Sequence, residues 1–302
     1  MKPRRGDFAH HWNLEPEVTF LNHGSFGATP RIILEEQTRI RDKMERDPVS
    51  FFEGDFLELW DSTRKAVSDF LNADMDGMAL VTNTTAGVNT VLRSLNLHEG
   101  DEILVPNHSY QACWNAVDFV TERSGAKTVV VDIPFRVKDS QEIVDLIMGS
   151  VTEKTVLALI DTVTSPTGLR MPFESLTKKL QGIGVDVLLD AAHGPGIVPL
   201  DIRGLNAAYC TGNFHKWVCS PKGSAFLHIR EDRRSSVRPL SISHGASFEG
   251  SKQEKFEFEF GWPGTRDPTA WLCIPATIDF MAGLVDGGWA EIMHRNNDLA
   301  LE

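Results

Sequence analysis

The 302-residue chain lacks the features that define several protein classes. No run of 18 apolar residues occurs, and the basic residues in MKPRRGDFAHHWNLEPEVTF precede no apolar core. Neither a membrane span nor a secretion leader is therefore expected. Positive charge is scarce: 30 Lys and Arg stand against 42 Asp and Glu, a formal net charge of −12. This balance excludes the basic footprint on which phosphate backbones and anionic lipids dock, so no nucleic-acid or membrane partner is expected. The four cysteines, Cys113, Cys210, Cys219 and Cys273, form no CxxC pair. Zinc ribbons and disulfide frameworks are thus excluded, and a reducing cytoplasm is the expected compartment. Repeats and low-complexity tracts are also missing. At 41% hydrophobic and 24% charged residues, the chain has the composition of a folded protein with a large core.

What is present is a series of seven β-rich runs: MALVTN (78–83), EILVPN (102–107), KTVVVDI (127–133), TVLALID (155–161), VDVLLDA (185–191), AAYCTGN (207–213) and GSAFLHI (223–229). Most are continuously apolar, as a sheet covered on both faces requires. Helical stretches such as AGVNTVLRSL, SYQACWNAVDFVTERSG, SQEIVDLIMGS and FESLTKKLQGI lie between them. This alternation predicts an α/β fold, a three-layer sandwich around a mostly parallel seven-stranded sheet. Residues 31–71 predict two outer helices separated at Pro48. After the last strand, the FEFEF alternation predicts an edge strand, and TAWLCIPATIDFMAGL and GGWAEIMHRNNDLALE predict two final helices.

In an open parallel sheet, ligands bind beyond the carboxyl ends of the strands. VDVLLDAAH places Asp190 and then His193 at such an end, and CTGNFHKW places Asn213, His215 and Lys216 just past the next strand. MALVTN runs into Thr84 and Thr85 at a helix start, where free N–H groups and two hydroxyls suit a phosphate. The same pair would serve as a plain helix cap. A lysine in a semi-buried rim loses hydration, and its neutral amine can hold pyridoxal phosphate as a Schiff base while a carboxylate faces the ring nitrogen. Lys216 and Asp190 suit these two roles. Asp190, His193 and His215 would also make three zinc ligands, but HExxH and clustered Cys are lacking, so no metal is expected. GPGIVP lacks the third glycine of a dinucleotide site.

Taken together, VLLDAAHGPG, CTGNFHKWVCSPKGSAFL and GWPGTRD resemble the class V aminotransferases among the fold type I pyridoxal-phosphate enzymes. LNHGSFGATP, TNTTAGVN and DTVTSPTGLRMP are similar to the isopenicillin N epimerase-like group within them. The resemblance implies pyridoxal 5'-phosphate as cofactor and an amino-acid or peptide-like substrate. It implies Lys216 as the Schiff-base lysine that moves the α-proton, Asp190 as the partner of the ring nitrogen, and His193 and Ser165 beside the phenolic oxygen. Thr84, Thr85, Asn213 and His215 match phosphate ligands, and Tyr110 a ring stacked on the cofactor. Gly264 and Thr265 resemble a turn that reaches the phosphate of a second subunit, which implies a homodimer.

The resemblance divides the chain into an N-terminal arm (1–30), a cofactor-binding large domain (31–282) and the start of a small C-terminal domain (283–302). Most of that small domain, which carries the family's substrate-carboxylate arginine, is expected to be missing. Arg266 and Arg170 are the remaining candidates for that role. No cysteine follows Cys273, which disfavours desulfurase chemistry, and Cys113 and Cys273 read as core packing. Epimerisation is the leading expectation, with C–S lyase or aminotransferase chemistry as alternatives. An inactive, shortened cofactor-binding or scaffold protein is the rival from another class.

Overall fold

All seven predicted strands form, each within two residues of its expected bounds: β1 (Met78–Val81), β2 (Glu102–Pro106), β3 (Lys127–Val131), β4 (Thr155–Asp161), β5 (Asp186–Ala191), β6 (Tyr209–Asn213) and β7 (Ala225–Ile229). The computed structural model describes residues 6–302, so the first five residues of the expected arm lie outside the described residues. The strands make one sheet in the order β1-β7-β6-β5-β4-β2-β3. β7 pairs antiparallel with both β1 and β6, and the other pairs are parallel. The chain therefore crosses over repeatedly, and each crossover helix is laid on one face of the sheet.

Alternate strand residues feed two cores. Leu104, Ala158, Ile160, Val187 and Leu189 pack on one face with the helices Arg31–Arg46, Phe56–Phe70, Ser140–Gly149, Phe173–Gly182 and Ile274–Ala282. Ile103, Val105, Leu157, Leu159 and Leu188 pack on the other with Thr84–Ser94, Gln111–Ser124 and Lys252–Gly261. Burial on both faces is why these strands are apolar throughout. Arg31–Arg46 ends before Pro48, and Asp47 accepts the Ser50 N–H to start the next turn. Among the described residues no helix is long and apolar enough to cross a membrane.

The FEFEF run corrects the sequence reading: it lies within a helix, Lys252–Gly261, not an edge strand. Ser251 and Glu254 form a reciprocal capping box that satisfies two orphan N–H groups at its start. Phe256 and Phe260, one turn apart, are buried together with ring centroids 4.8 Å apart, and Phe258 leans on Phe248 outside the core. Glu259 is buried as the ion partner of Arg238. Two apolar surfaces on one helix thus mimic the period of a strand.

The segment before the first long helix lies on the turn that follows β6. Gly27 packs so tightly there that a Cβ would stand 2.2 Å from the His215 carbonyl oxygen and 2.4 Å from that of Lys216. Thr29 Oγ1 donates to the Ser220 carbonyl at 3.3 Å, and Trp12 Nε1 to that of Ala28 at 3.0 Å.

Candidate active site

Lys216 sits on the turn between β6 and β7, its Nζ 3.0 Å from His193 Nε2. Trp217 Nε1, which can only donate, reaches His193 Nδ1 at 3.2 Å. Nδ1 is therefore the acceptor of the ring, and in neutral imidazole the proton belongs to Nε2, where it points at the lysine. Lys216 must then accept, which only an uncharged amine can do. Burial depresses His193 to about 4, which keeps the ring neutral. Burial likewise lowers Lys216, against the opposing pull of Asp190, Cys113 and Asp161. Burial and the bond to His193 thus favour the uncharged, nucleophilic form of the amine.

Asp190, at 3% exposure, ends β5 within this rim. Its Oδ1 accepts the Ala192 N–H at 2.9 Å, and its Oδ2 accepts the Cys113 Sγ–H at 3.2 Å. Burial raises its carboxyl above the ordinary range. Cys113 is buried as expected, but it is also a donor to this carboxylate, a role that helical periodicity does not reveal. A second carboxyl escaped the sequence reading altogether. Asp161 ends β4 directly beside Asp190 in the parallel register, is 2% exposed, and accepts from Ser109 Oγ. The available signal was a carboxylate at the end of an apolar strand, the same one that marked Asp190.

The helix Thr84–Ser94 begins at the same end of the sheet. Its cap is Asn83, whose side chain accepts the Ala86 N–H at 2.8 Å, so Thr84 and Thr85 are not the cap residues. Asn213 Oδ1, at the end of β6, takes the Thr84 N–H at 2.9 Å. Among the described residues the Thr85 N–H has no protein acceptor at this helix start, and the buried Thr84 Oγ1 has no partner. A buried, unpaired hydroxyl at a helix N-terminus is the donor set of an anion site. His215 is held by Nδ1 on the Ser224 carbonyl at 2.9 Å, and burial drives it down to about 4. That bond leaves Nε2 as an acceptor, so His215 must gain a proton before it can serve an anion.

The remaining predicted residues are less closely gathered. Tyr110 precedes the helix Gln111–Ser124 and is 47% exposed, and Ser165 is exposed on the turn after β4. The turn itself is tied down, with Thr164 and Thr167 hydroxyls 2.7 Å apart and Thr167 joined to the buried His108 at 2.9 Å. Gly264, with φ 128°, and Thr265 line a cavity with Thr82, Ala86 and Arg266. Arg170 is spent on an exposed pair with Glu174. Arg266 lies over Trp271 and Trp60, 4.5 and 5.5 Å from their ring centroids, and burial pushes it down to about 10. Among the described residues no three His, Cys, Asp or Glu side chains gather as a metal site.

The aminotransferase class-V family matches residues 34–300. The isopenicillin N epimerase of Amycolatopsis lactamdurans is 32% identical over 95% of this chain and 74% of its own length. A probable chloroplastic L-cysteine desulfhydrase of Arabidopsis thaliana is 31% identical over 98% of this chain and 64% of its own length, so the chain spans less than two thirds of that relative. Among solved structures, a lysine-to-alanine mutant of C-DES with glycine covalently linked to the PLP cofactor superposes with a TM-score of 0.81. It is 23% identical, with 96% of this chain and 77% of that chain covered.

Proposed function

Since the chain belongs to the class-V aminotransferase family, whose members depend on pyridoxal phosphate, we propose that it is an epimerase-like enzyme acting at the α-carbon of an amino acid or peptide-like substrate. The residues present fit the cofactor. The unpaired Thr84 hydroxyl and the free Thr85 N–H await an anion, Asp190 is a buried acceptor, and Lys216 offers an uncharged amine to an aldehyde. In this reading Thr84, Thr85 and a protonated His215 hold the phosphate, and Asn213 orients the helix start. Asp190 faces the pyridine nitrogen, His193 and Ser165 border the phenolic oxygen, and Tyr110 covers the ring. Gly264 and Thr265 serve the site of a second copy in a cytoplasmic homodimer.

When bound, pyridoxal phosphate supplies an electron sink that acidifies the α-carbon of the substrate. Lys216 first holds the cofactor and, once displaced by the substrate amine, is the base that removes the α-proton. His193 keeps that amine uncharged in its resting state, and Asp190, as an anion, retains the ring-nitrogen proton. Delivery of a proton from solvent to the opposite face, with the removed proton left on Lys216, would invert the α-carbon. The same residues acting on a substrate with sulfur at the β-carbon give C–S cleavage, a second reading favoured by the desulfhydrase relative.

The observation that carries the proposal is the hydrogen-bond chain from Trp217 through His193 to Lys216. It is tested by adding cofactor to the purified protein and to Lys216→Ala, then following visible absorbance and α-proton exchange in deuterated water with a panel of amino acids. A lysine-dependent band is expected, together with exchange that falls by about 10²- to 10⁴-fold in the variant. A band that persists in Lys216→Ala would sink the assignment. Cofactor binding without exchange would favour a scaffold, and sulfide release from cysteine would favour the lyase.

A further inference from the structure

Two carboxyl groups share one buried pocket at the rim. β4 and β5 are parallel neighbours, and Asp161 and Asp190 are partners in their register, so both side chains leave the sheet on the same face. Both are almost wholly buried, and the helix Gln111–Ser124 covers them. The groups that face the pair are Cys113 from that helix, Ser109 from the turn before it, and Lys216 from the turn after β6. Cys210 on β6 lies behind Asp190. Lys216 is the single cation-forming group in this set, and its hydrogen bond goes to His193. The pocket thus contains two acids and no ion pair.

The two acids are not equivalent. Asp190 receives a backbone N–H and a thiol S–H, both of which favour its ionised form. Asp161 receives the Ser109 hydroxyl and bears the repulsion of Asp190, and burial with that repulsion holds it well above the usual carboxylate range. Like charges in neighbouring buried sites do not both ionise.

We infer that Asp161 is a positioning residue for the reaction: it carries a proton at neutral pH, so that the pair keeps its one negative charge on Asp190, opposite the ring nitrogen. The inference rests on the reading of Asp190 given above. Its consequence is an alkaline transition. As pH rises Asp161 ionises, a second negative charge enters the pocket, and Lys216 is drawn toward its cationic, unreactive form.

The test compares Asp161→Asn and Asp190→Asn with the wild type in two measurements. In the cofactor-free protein, infrared or carbon-13 spectra of labelled aspartate should show one carboxyl still protonated at neutral pH. That signal should vanish in Asp161→Asn and titrate at lower pH in Asp190→Asn, where the neighbouring charge is gone. In the loaded enzyme, Asp161→Asn should match wild-type kcat and cofactor affinity at neutral pH within about threefold, while the alkaline limb of its pH profile moves upward. A fully ionised Asp161 at neutral pH, or an Asp161→Asn variant as impaired there as Asp190→Asn, would overturn the inference. If Asp190→Asn leaves the cofactor spectrum unchanged while the carboxyl titrations are as expected, the ring-nitrogen reading fails and the charge assignment of the pair survives.

Discussion

At the scale of single residues, the candidate site combines paired polar groups with one that is left unsatisfied within the chain. Thr84 shows this most directly, because its hydroxyl is buried without a partner while its own N–H is taken by Asn213. Thr84→Val keeps the shape and removes the unpaired group. The cofactor-free protein is therefore expected to be unchanged or about 1 kcal/mol more stable, while affinity for the phosphate-bearing cofactor drops; thermal melts with and without cofactor check both signs. Lys216, Asp190 and His193 were legible in the sequence because polar groups at the ends of apolar strands have no packing rationale. Asp161 satisfied the same rule and was still missed, since its importance comes from the register of β4 against β5. The pairing that sets His193 as a donor to Lys216 was equally hidden, because Trp217 reads as one more aromatic beside a lysine.

Among the elements, the strands were legible and the helix at 252–261 was not. Seven strands came through because burial on both faces leaves a continuous apolar signature. The FEFEF run misled because the helix has two apolar contacts, Phe256 with Phe260 toward the sheet and Phe258 toward Phe248. Ser251 and Glu254 carried the correct signal, a capping box three residues apart. A strand would place Phe256, Phe258 and Phe260 on one face and make them equally sensitive. The helix makes them unequal: Phe256→Ala is expected to cost about 3–5 kcal/mol, and Phe258→Ala, at 40% exposure, distinctly less. Denaturant unfolding of the two variants decides it, and equal losses would restore the strand.

For the whole molecule, a cavity of about 780 Å³ lies between the helices Phe56–Phe70 and Lys252–Gly261, lined by Phe52, Phe56, Trp60, Phe248, Phe258 and Trp262, with Thr265 at its edge. Val49 and Leu57 stand exposed on its rim. The proposed homodimer would bury this face against the second copy. Sedimentation of the wild type is expected to give twice 33.6 kDa, and Val49→Glu with Leu57→Glu to give a monomer with weakened cofactor binding. A wild-type monomer with full activity would overturn the assembly.

The close approach of Gly27 to the lysine turn also has a consequence in time. During synthesis, residues 22–29 leave the ribosome long before the turn that they embrace, and the bond from Thr29 to Ser220 spans 191 residues. Closing a loop of that length costs about 5 kcal/mol of chain entropy, which is recovered only when both sides are complete. The packed form of this turn is therefore one of the last features to be completed. Until residues 22–29 have docked, the turn that carries Lys216 lacks the packing that Gly27 and Thr29 give it.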